Sequence, residues 1–348
     1  METNRRGFLA ASAAVMGSAV LGGRASAQDA GDGLDHRNER PDKMAYRQLG
    51  KTKFLCSRMV FGGGSALLGG RGVRLLEEAF ENGLNFYDMG TDVYYKGAER
   101  NLAEFYKRHR GEIWVTSKAM VREGIRFRGN DPVLNVAEAK AYAEYWSRLL
   151  DQSLKDLGSD YVDAYYLMGV QDPEIVRSDE LHNAFSTAKA AGKVGHFGIS
   201  THTNQQACLE AAIETGRFSL AMIAITPAGW FDLSQMKPAE SEGGLVGLRP
   251  VLDRARNAGI GLIGMKAALY LAKAPYTGSS EFDDKSERAD FYDKYYDEKF
   301  LQSPLSPFQR SYAYVLGHGV DVMNSDMVNF KHFEANIAAA RTAHTYFA

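Results

Sequence analysis

Tyr161-Val162-Asp163-Ala164-Tyr165-Tyr166-Leu167 is a short apolar run. An amphipathic stretch follows at 178–191, then Gly192, then a second run, Val194-Gly195-His196-Phe197-Gly198-Ile199. Strand, helix, helix-ending glycine and strand in that order make one βαβ unit. The pattern continues on both sides. Further apolar runs lie at 59–62, 84–88, 113–117, 221–225, 259–264 and 319–323. Helical spacing appears at 136–157, where Tyr142, Tyr145, Trp146, Leu149 and Leu150 share a face, and at 205–215. Gly83, Gly158 and Gly259 punctuate the chain as Gly192 does. Eight β-then-α units in about 300 residues predict an α/β fold, a single-domain (β/α)8 barrel over 44–348. A doubly wound open sheet would need a glycine fingerprint opening its first helix. Gly62-Gly63-Gly64 and Gly69-Gly70 lack that spacing.

Composition narrows the function. The 348 residues are 45% hydrophobic and 24% charged, which fits a globular chain rather than a disordered one. A net charge of −2 gives no footing for nucleic-acid binding. Two cysteines, Cys56 and Cys208, cannot build a disulfide framework or a four-thiolate metal site, and both read as buried small hydrophobes. No metal is expected.

The N-terminus reads as an address. Asn4-Arg5-Arg6-Gly7-Phe8-Leu9 precedes a small-residue apolar run and Ala25-Ser26-Ala27. That is a charged region, an apolar region and a cleavage site. The arginine pair resembles a twin-arginine export signal at 1–27, which implies the twin-arginine export machinery as partner and a periplasmic destination. No later stretch is apolar enough to span a membrane. Residues 28–43 are polar and aperiodic and read as a flexible linker.

A barrel carries its chemistry at the C-terminal strand ends. There stand Asp88, Lys118, Ser200-Thr201-His202, Lys266 and 324–326, with Tyr94 shortly after the second strand. An acid, a phenol and an amine suit carbonyl reduction. The oxygen gains negative charge and needs a proton, and a phenol gives one up more readily beside an ammonium. Asp88, Tyr94 and Lys118 are the expected catalytic residues. Residues 281–299 hold eight acidic and four basic residues among aromatic ones. Phe291/Tyr295 and Tyr292/Tyr296 predict a helix with one aromatic face, packed on the barrel or lying over its mouth as a lid. Trp230 and Phe231 are expected in a pocket wall or in the core.

Several segments resemble the aldo/keto reductase family. They are Tyr46-Arg47-Gln48-Leu49-Gly50-Lys51-Thr52, Gly83-Leu84-Asn85-Phe86-Tyr87-Asp88 and Val115-Thr116-Ser117-Lys118. Ser153-Leu154-Lys155-Asp156-Leu157-Gly158-Ser159-Asp160-Tyr161-Val162-Asp163 is the most specific, with Gly192-Lys193-Val194-Gly195-His196-Phe197-Gly198-Ile199-Ser200 next. The resemblance implies a barrel that binds NADP or NAD without a metal and reduces a small aldehyde or ketone. It implies cofactor contacts from Ser200, Thr201, Lys266, Asn329 and Asn336.

The departures from the family pattern matter as much. The family's tyrosine falls at Val93, so Tyr94 requires a one-residue slip. Met168 holds the family's histidine position, and a thioether cannot donate a hydrogen bond. Asp326 replaces a glycine in the phosphate loop, and Asn329 replaces an arginine. Two expectations follow. One is a reductase with a remodelled site, in which His202 replaces the missing polar contact and NAD(H) is favoured. The other is a catalytically degenerate exported barrel that binds a ligand or partner without hydride transfer.

Overall fold

The computed structural model describes residues 33–124, 135–272 and 286–347. The export-signal reading of 1–27 lies outside them. Twelve strands are present among the described residues. A hairpin of β1 (Tyr46–Gln48) and β2 (Leu55–Ser57) precedes β3 (Met59–Gly62), β4 (Phe86–Asp88), β5 (Trp114–Ala119), β6 (Val162–Met168), β7 (Val194–Thr201) and β8 (Leu220–Thr226). A second hairpin, β9 (Gly229–Asp232) and β10 (Lys237–Glu240), is followed by β11 (Gly261–Met265) and β12 (Val322–Ser325). Eight of these pair in parallel in the order β8, β11, β12, β3, β4, β5, β6, β7, and β7 returns to β8. The ring is closed, as the sequence predicts.

The helices alternate with the barrel strands: α1 (Leu75–Glu81), α2 (Asp92–Tyr95), α3 (Ala98–Arg108), α4 (Ala139–Leu157), α5 (Asp179–Ala190), α6 (Gln205–Thr215), α7 (Arg249–Asn257), α8 (Pro307–His318) and α9 (Phe330–Phe347). Helix α4 shows why they form. Tyr142, Trp146, Leu149, Leu150, Leu154 and Leu157 recur at helical spacing and are all buried. Gly158 then ends it with φ 62°. That left-handed turn suits a residue without Cβ.

Side chains alternate across each strand, so one set fills the barrel and the other meets the helices. Val60, Phe86, Trp114, Tyr166, Leu220, Met222, Ile263 and Val322 form the inner cluster. Gly198 is needed there, because a Cβ on it would collide with the Tyr166 ring. Among the described residues no helix is long and apolar enough to cross a membrane.

Two expectations need correction. Residues 33–43 are not a free linker. Asp35 exchanges backbone hydrogen bonds with Lys53 and Leu55. The Arg37 guanidinium reaches the Ile113 carbonyl at 2.8 Å and Asp163 at 3.0 Å. The segment seals the N-terminal end of the barrel, where Phe54 stacks on Trp114 at 4.5 Å. Its ties are ion pairs and backbone bonds, which leave no apolar period in the sequence. Second, the described part of 281–299 is not one aromatic-faced helix. It forms turns, a 3-10 turn at Asp293–Tyr295 and the start of a short helix at Glu298–Leu301. Tyr292 and Tyr296 are nevertheless buried. Residues 281–285 lie outside the described residues. Of the two placements expected for Trp230 and Phe231, the core is the one found, in hairpin β9–β10. Cys56 and Cys208 are buried and free, as expected.

Candidate active site

The C-terminal ends of the strands surround a cleft of about 900 Å³, its open mouth included. Asp88 closes β4 and Lys118 stands one residue from the end of β5. Strands β4 and β5 are neighbours in register, so the ring brings the two side chains together inside the barrel. Lys118 Nζ donates to Asp88 Oδ2 at 2.5 Å and also to the Met89 carbonyl. Thr116 Oγ1 donates to Asp88 Oδ1 at 3.0 Å, and Asn324 Nδ2 donates to Oδ2 at 2.6 Å. Both charges are buried, Asp88 at 2% exposure and Lys118 at 4%. Burying a charge is costly unless it is paired and hydrogen-bonded, and this carboxylate receives three side-chain donors.

The phenol at the cleft is Tyr95, not Tyr94. Tyr95 lines the cleft beside Asp88 and Lys118, and Tyr94 does not. Lys118 Nζ lies 5.9 Å from the centroid of the Tyr95 ring. The ring fits because Gly64 and Gly90 offer no side chain against it; a Cβ on Gly90 would collide with it. Helix α2 is a single turn, and neighbouring residues on a helix point about 100° apart. The Tyr94-Tyr95 pair alone cannot say which ring faces inward.

The expected cofactor residues divide. Ser200 and Lys266 line the cleft. Ser200 Oγ is buried and has no hydrogen-bond partner among the described residues. Lys266 adopts the left-handed backbone region at φ 70° immediately after β11. Thr201, Asn329 and Asn336 are absent from the lining and are engaged within the protein. Thr201 Oγ1 donates to the Thr203 carbonyl at 2.9 Å. Asn329 Oδ1 accepts from the His332 backbone N–H at 2.9 Å. Asn336 Nδ2 donates to Ser325 Oγ at 2.7 Å, and Ser325 Oγ meets Tyr312 Oη at 3.0 Å.

Other lining residues complete the picture. His202 also lines the wall, in the bend just after β7 and two residues beyond Ser200. Burial holds its imidazole well below its ordinary pKa, and the Lys266 and Lys118 cations add to this. A neutral imidazole can donate or accept one hydrogen bond. Met168, at the end of β6, pairs in register with Ser200 but is buried and outside the lining. Met222, Met265, Leu269 and Phe308 supply the apolar side, and Asp326 brings a carboxylate. Asn324 escaped the sequence reading as a residue bound to Asp88. Its place at the eighth strand end was the available signal.

Residues 70–227 match the model of the Aldo/keto reductase family. The chain is 28% identical over 180 residues to L-glyceraldehyde 3-phosphate reductase of Escherichia coli, a match covering 48% of each chain. It therefore spans about half the length of the curated relatives it matches. Among solved structures, a putative aldo-keto reductase from Pseudomonas aeruginosa aligns with TM-score 0.57 and 18% identity, covering 86% of this chain and 95% of that one. An aldo-keto reductase from Bacillus halodurans in its holo form aligns with TM-score 0.59 and 19% identity, covering 88% and 96%. At these identities the two structures speak for the fold. The family match covers residues 70–227, and the solved structures share the barrel fold.

Proposed function

We propose that this cleft is the active site of an NAD(P)H-dependent reductase of aldehydes or ketones. One observation carries the reading: a buried lysine is held by a buried carboxylate at the mouth of the barrel, beneath a tyrosine ring. The cleft also fits a nicotinamide dinucleotide in its chemistry, because Ser200 offers a buried hydroxyl with no protein partner among the described residues. When bound, such a cofactor supplies the hydride that reaches the carbonyl carbon.

The chain's own residues do the rest. The carbonyl oxygen gains negative charge as the carbon is reduced, and the Tyr95 phenol gives it a proton. Lys118 stabilises the phenolate that remains. Asp88 fixes the direction of the ammonium, and Thr116 and Asn324 hold Asp88. His202 takes the polar role that Met168 cannot, donating a hydrogen bond to the substrate oxygen from the neutral ring. Met222, Met265, Leu269 and Phe308 shield the reacting atoms from water. Asn329 serves as a helix cap and Asp326 adds negative charge, so NADH binds at least as tightly as NADPH.

Titration of the purified protein with NADH and NADPH, followed by quenching of its tryptophan and tyrosine emission, tests this. Micromolar binding of either supports the reductase. An unchanged emission at millimolar cofactor contradicts it and favours a barrel that binds another ligand without hydride transfer. Export by the twin-arginine machinery is part of the same proposal and rests on residues 1–27. Replacing Arg5 and Arg6 together by lysine should keep the protein in the cytoplasm, and unchanged export would refute that part.

A further inference from the structure

Glu99 is wholly buried in the layer between helix and sheet, behind the cleft rather than in it. It sits in the first turn of α3. One carboxylate oxygen accepts from Ser117 Oγ at 2.6 Å, and the other accepts from the Asp92 backbone N–H at 3.2 Å. Asp92 Oδ1 returns a bond by accepting from the Glu99 backbone N–H at 2.9 Å. Ser117 adjoins Lys118 on β5. Asp92 opens the single turn α2 that ends in Tyr95. One carboxylate thus ties the strand carrying the amine to the turn carrying the phenol.

The reciprocal bonds between Asp92 and Glu99 close the loop 92–99 on itself. Inside it Lys96 and Gly97 both take left-handed backbone conformations, with φ 44° and 91°. A turn of four residues has almost no helical stability of its own. Its direction must come from contacts at its ends. Thr91 N–H donates to the Lys118 carbonyl at 3.1 Å, so the strand also grips the residue before the turn.

We propose that Glu99 is a positioning residue, holding the Tyr95 phenol in register with Lys118 through its two carboxylate oxygens. This rests on the reductase reading of the cleft. Burial raises the Glu99 pKa to about 7, hydrogen bonds from Ser117 and Ser153 oppose it, and the Asp92 charge adds to the rise while the Asp92 backbone N–H opposes it. The facing groups are Asp92 on α2, Ser117 on β5, Ser153 on α4 and Tyr165 on β6, whose hydroxyl meets Ser153 Oγ at 2.9 Å. Arg100 pairs with Asp92 at 2.9 Å and with Asp156 of α4 at 3.5 Å. A protonated carboxyl has a hydroxyl in place of one acceptor, so one of its two ties weakens.

Three variants and two readouts test this. In Glu99→Ala both ties are lost. Amide hydrogen exchange at 92–99 should quicken at least about tenfold while β5 and β6 stay protected. With NADH and para-nitrobenzaldehyde, kcat should fall about 10–100-fold with the cofactor KM within about threefold, because a misplaced proton donor costs rate rather than binding. In Glu99→Gln the amide accepts from Asp92 and donates to Ser117. Exchange and kcat should return to near the parent values, and any ionisation near pH 7 in the kcat profile should vanish. Ser117→Ala removes one tie and should fall between, which keeps the test open if Glu99→Ala does not fold. Unchanged exchange at 92–99 in Ser117→Ala and in any folded Glu99→Ala overturns the proposal. If exchange quickens but the parent protein reduces no carbonyl, the tie stands and the reductase reading fails instead.

Discussion

Each end of the barrel carries a buried carboxylate paired with a cation, and the two pairs are put to different uses. At the N-terminal end Arg37 meets Asp163 at 3.0 Å, and Asp163 also accepts from the Val115 backbone N–H at 2.8 Å. The Arg37 side chain lies over the Phe54 and Trp114 rings. At the C-terminal end Lys118 meets Asp88 at 2.5 Å. Both carboxylates are almost fully buried and both are multiply hydrogen-bonded. Burial and pairing therefore do not distinguish a seal from a site. Surroundings do. The floor pair is capped by aromatic rings and a hairpin. The mouth pair fronts a cleft, with a buried serine hydroxyl that has no partner among the described residues and a tyrosine ring above.

Breaking each pair should separate the two uses. Lys118→Met should lower carbonyl reduction by about 10³-fold or more, since it removes the group that makes the phenol an acid. Arg37→Met should leave activity per folded molecule within about twofold. It should cost about 3–5 kcal/mol of stability, because Asp163 stays buried with its cation gone. Denaturant unfolding beside steady-state rates reads both. If Arg37→Met loses activity while still folded, the ends are coupled and the contrast fails.

A smaller effect sharpens the mouth. His202→Leu should lower kcat about 10–100-fold with cofactor binding retained, as expected for loss of one positioned hydrogen-bond donor. An unaltered kcat would remove His202 from the mechanism. Smaller again is the pH dependence from Glu99. Its folded pKa, about 7, lies above the ordinary 4.5. The neutral form is favoured by folding, so this contribution is fully present below pH 4.5 and is lost as pH rises through 7. The loss is on the order of 3 kcal/mol. Unfolding curves at pH 5 and pH 8 should differ more for the parent protein than for Glu99→Gln, and equal differences would argue against it.

Much of the barrel was legible because apolar runs and glycine stops repeat. The first barrel strand, Met59–Gly62, matches its apolar run residue for residue. Other ends shift by a residue or more, as at Gly261–Met265, since ladder hydrogen bonds rather than apolarity set where a strand begins. Hairpin β9–β10 was not visible, because Pro227, Gly229 and Pro238 read as breakers and the hairpin hangs on one edge of β8. In the site, Asp88 and Lys118 were legible because strand ends fix them. Tyr95 was not, because a one-turn helix turns its residues by backbone geometry that no period records. Asn329 and Asn336, which the resemblance assigns to the cofactor, lie outside the cleft lining and spend their side chains on the fold.

The most direct test of the account compares two neighbouring rings. Tyr95→Phe and Tyr94→Phe are assayed for NADH oxidation with para-nitrobenzaldehyde at saturating cofactor. Tyr95→Phe should lose about 10²–10⁴-fold in kcat while Tyr94→Phe stays within about threefold of the parent. Equal activity in both, or the larger loss in Tyr94→Phe, would contradict the assignment of the proton donor on which the mechanism stands.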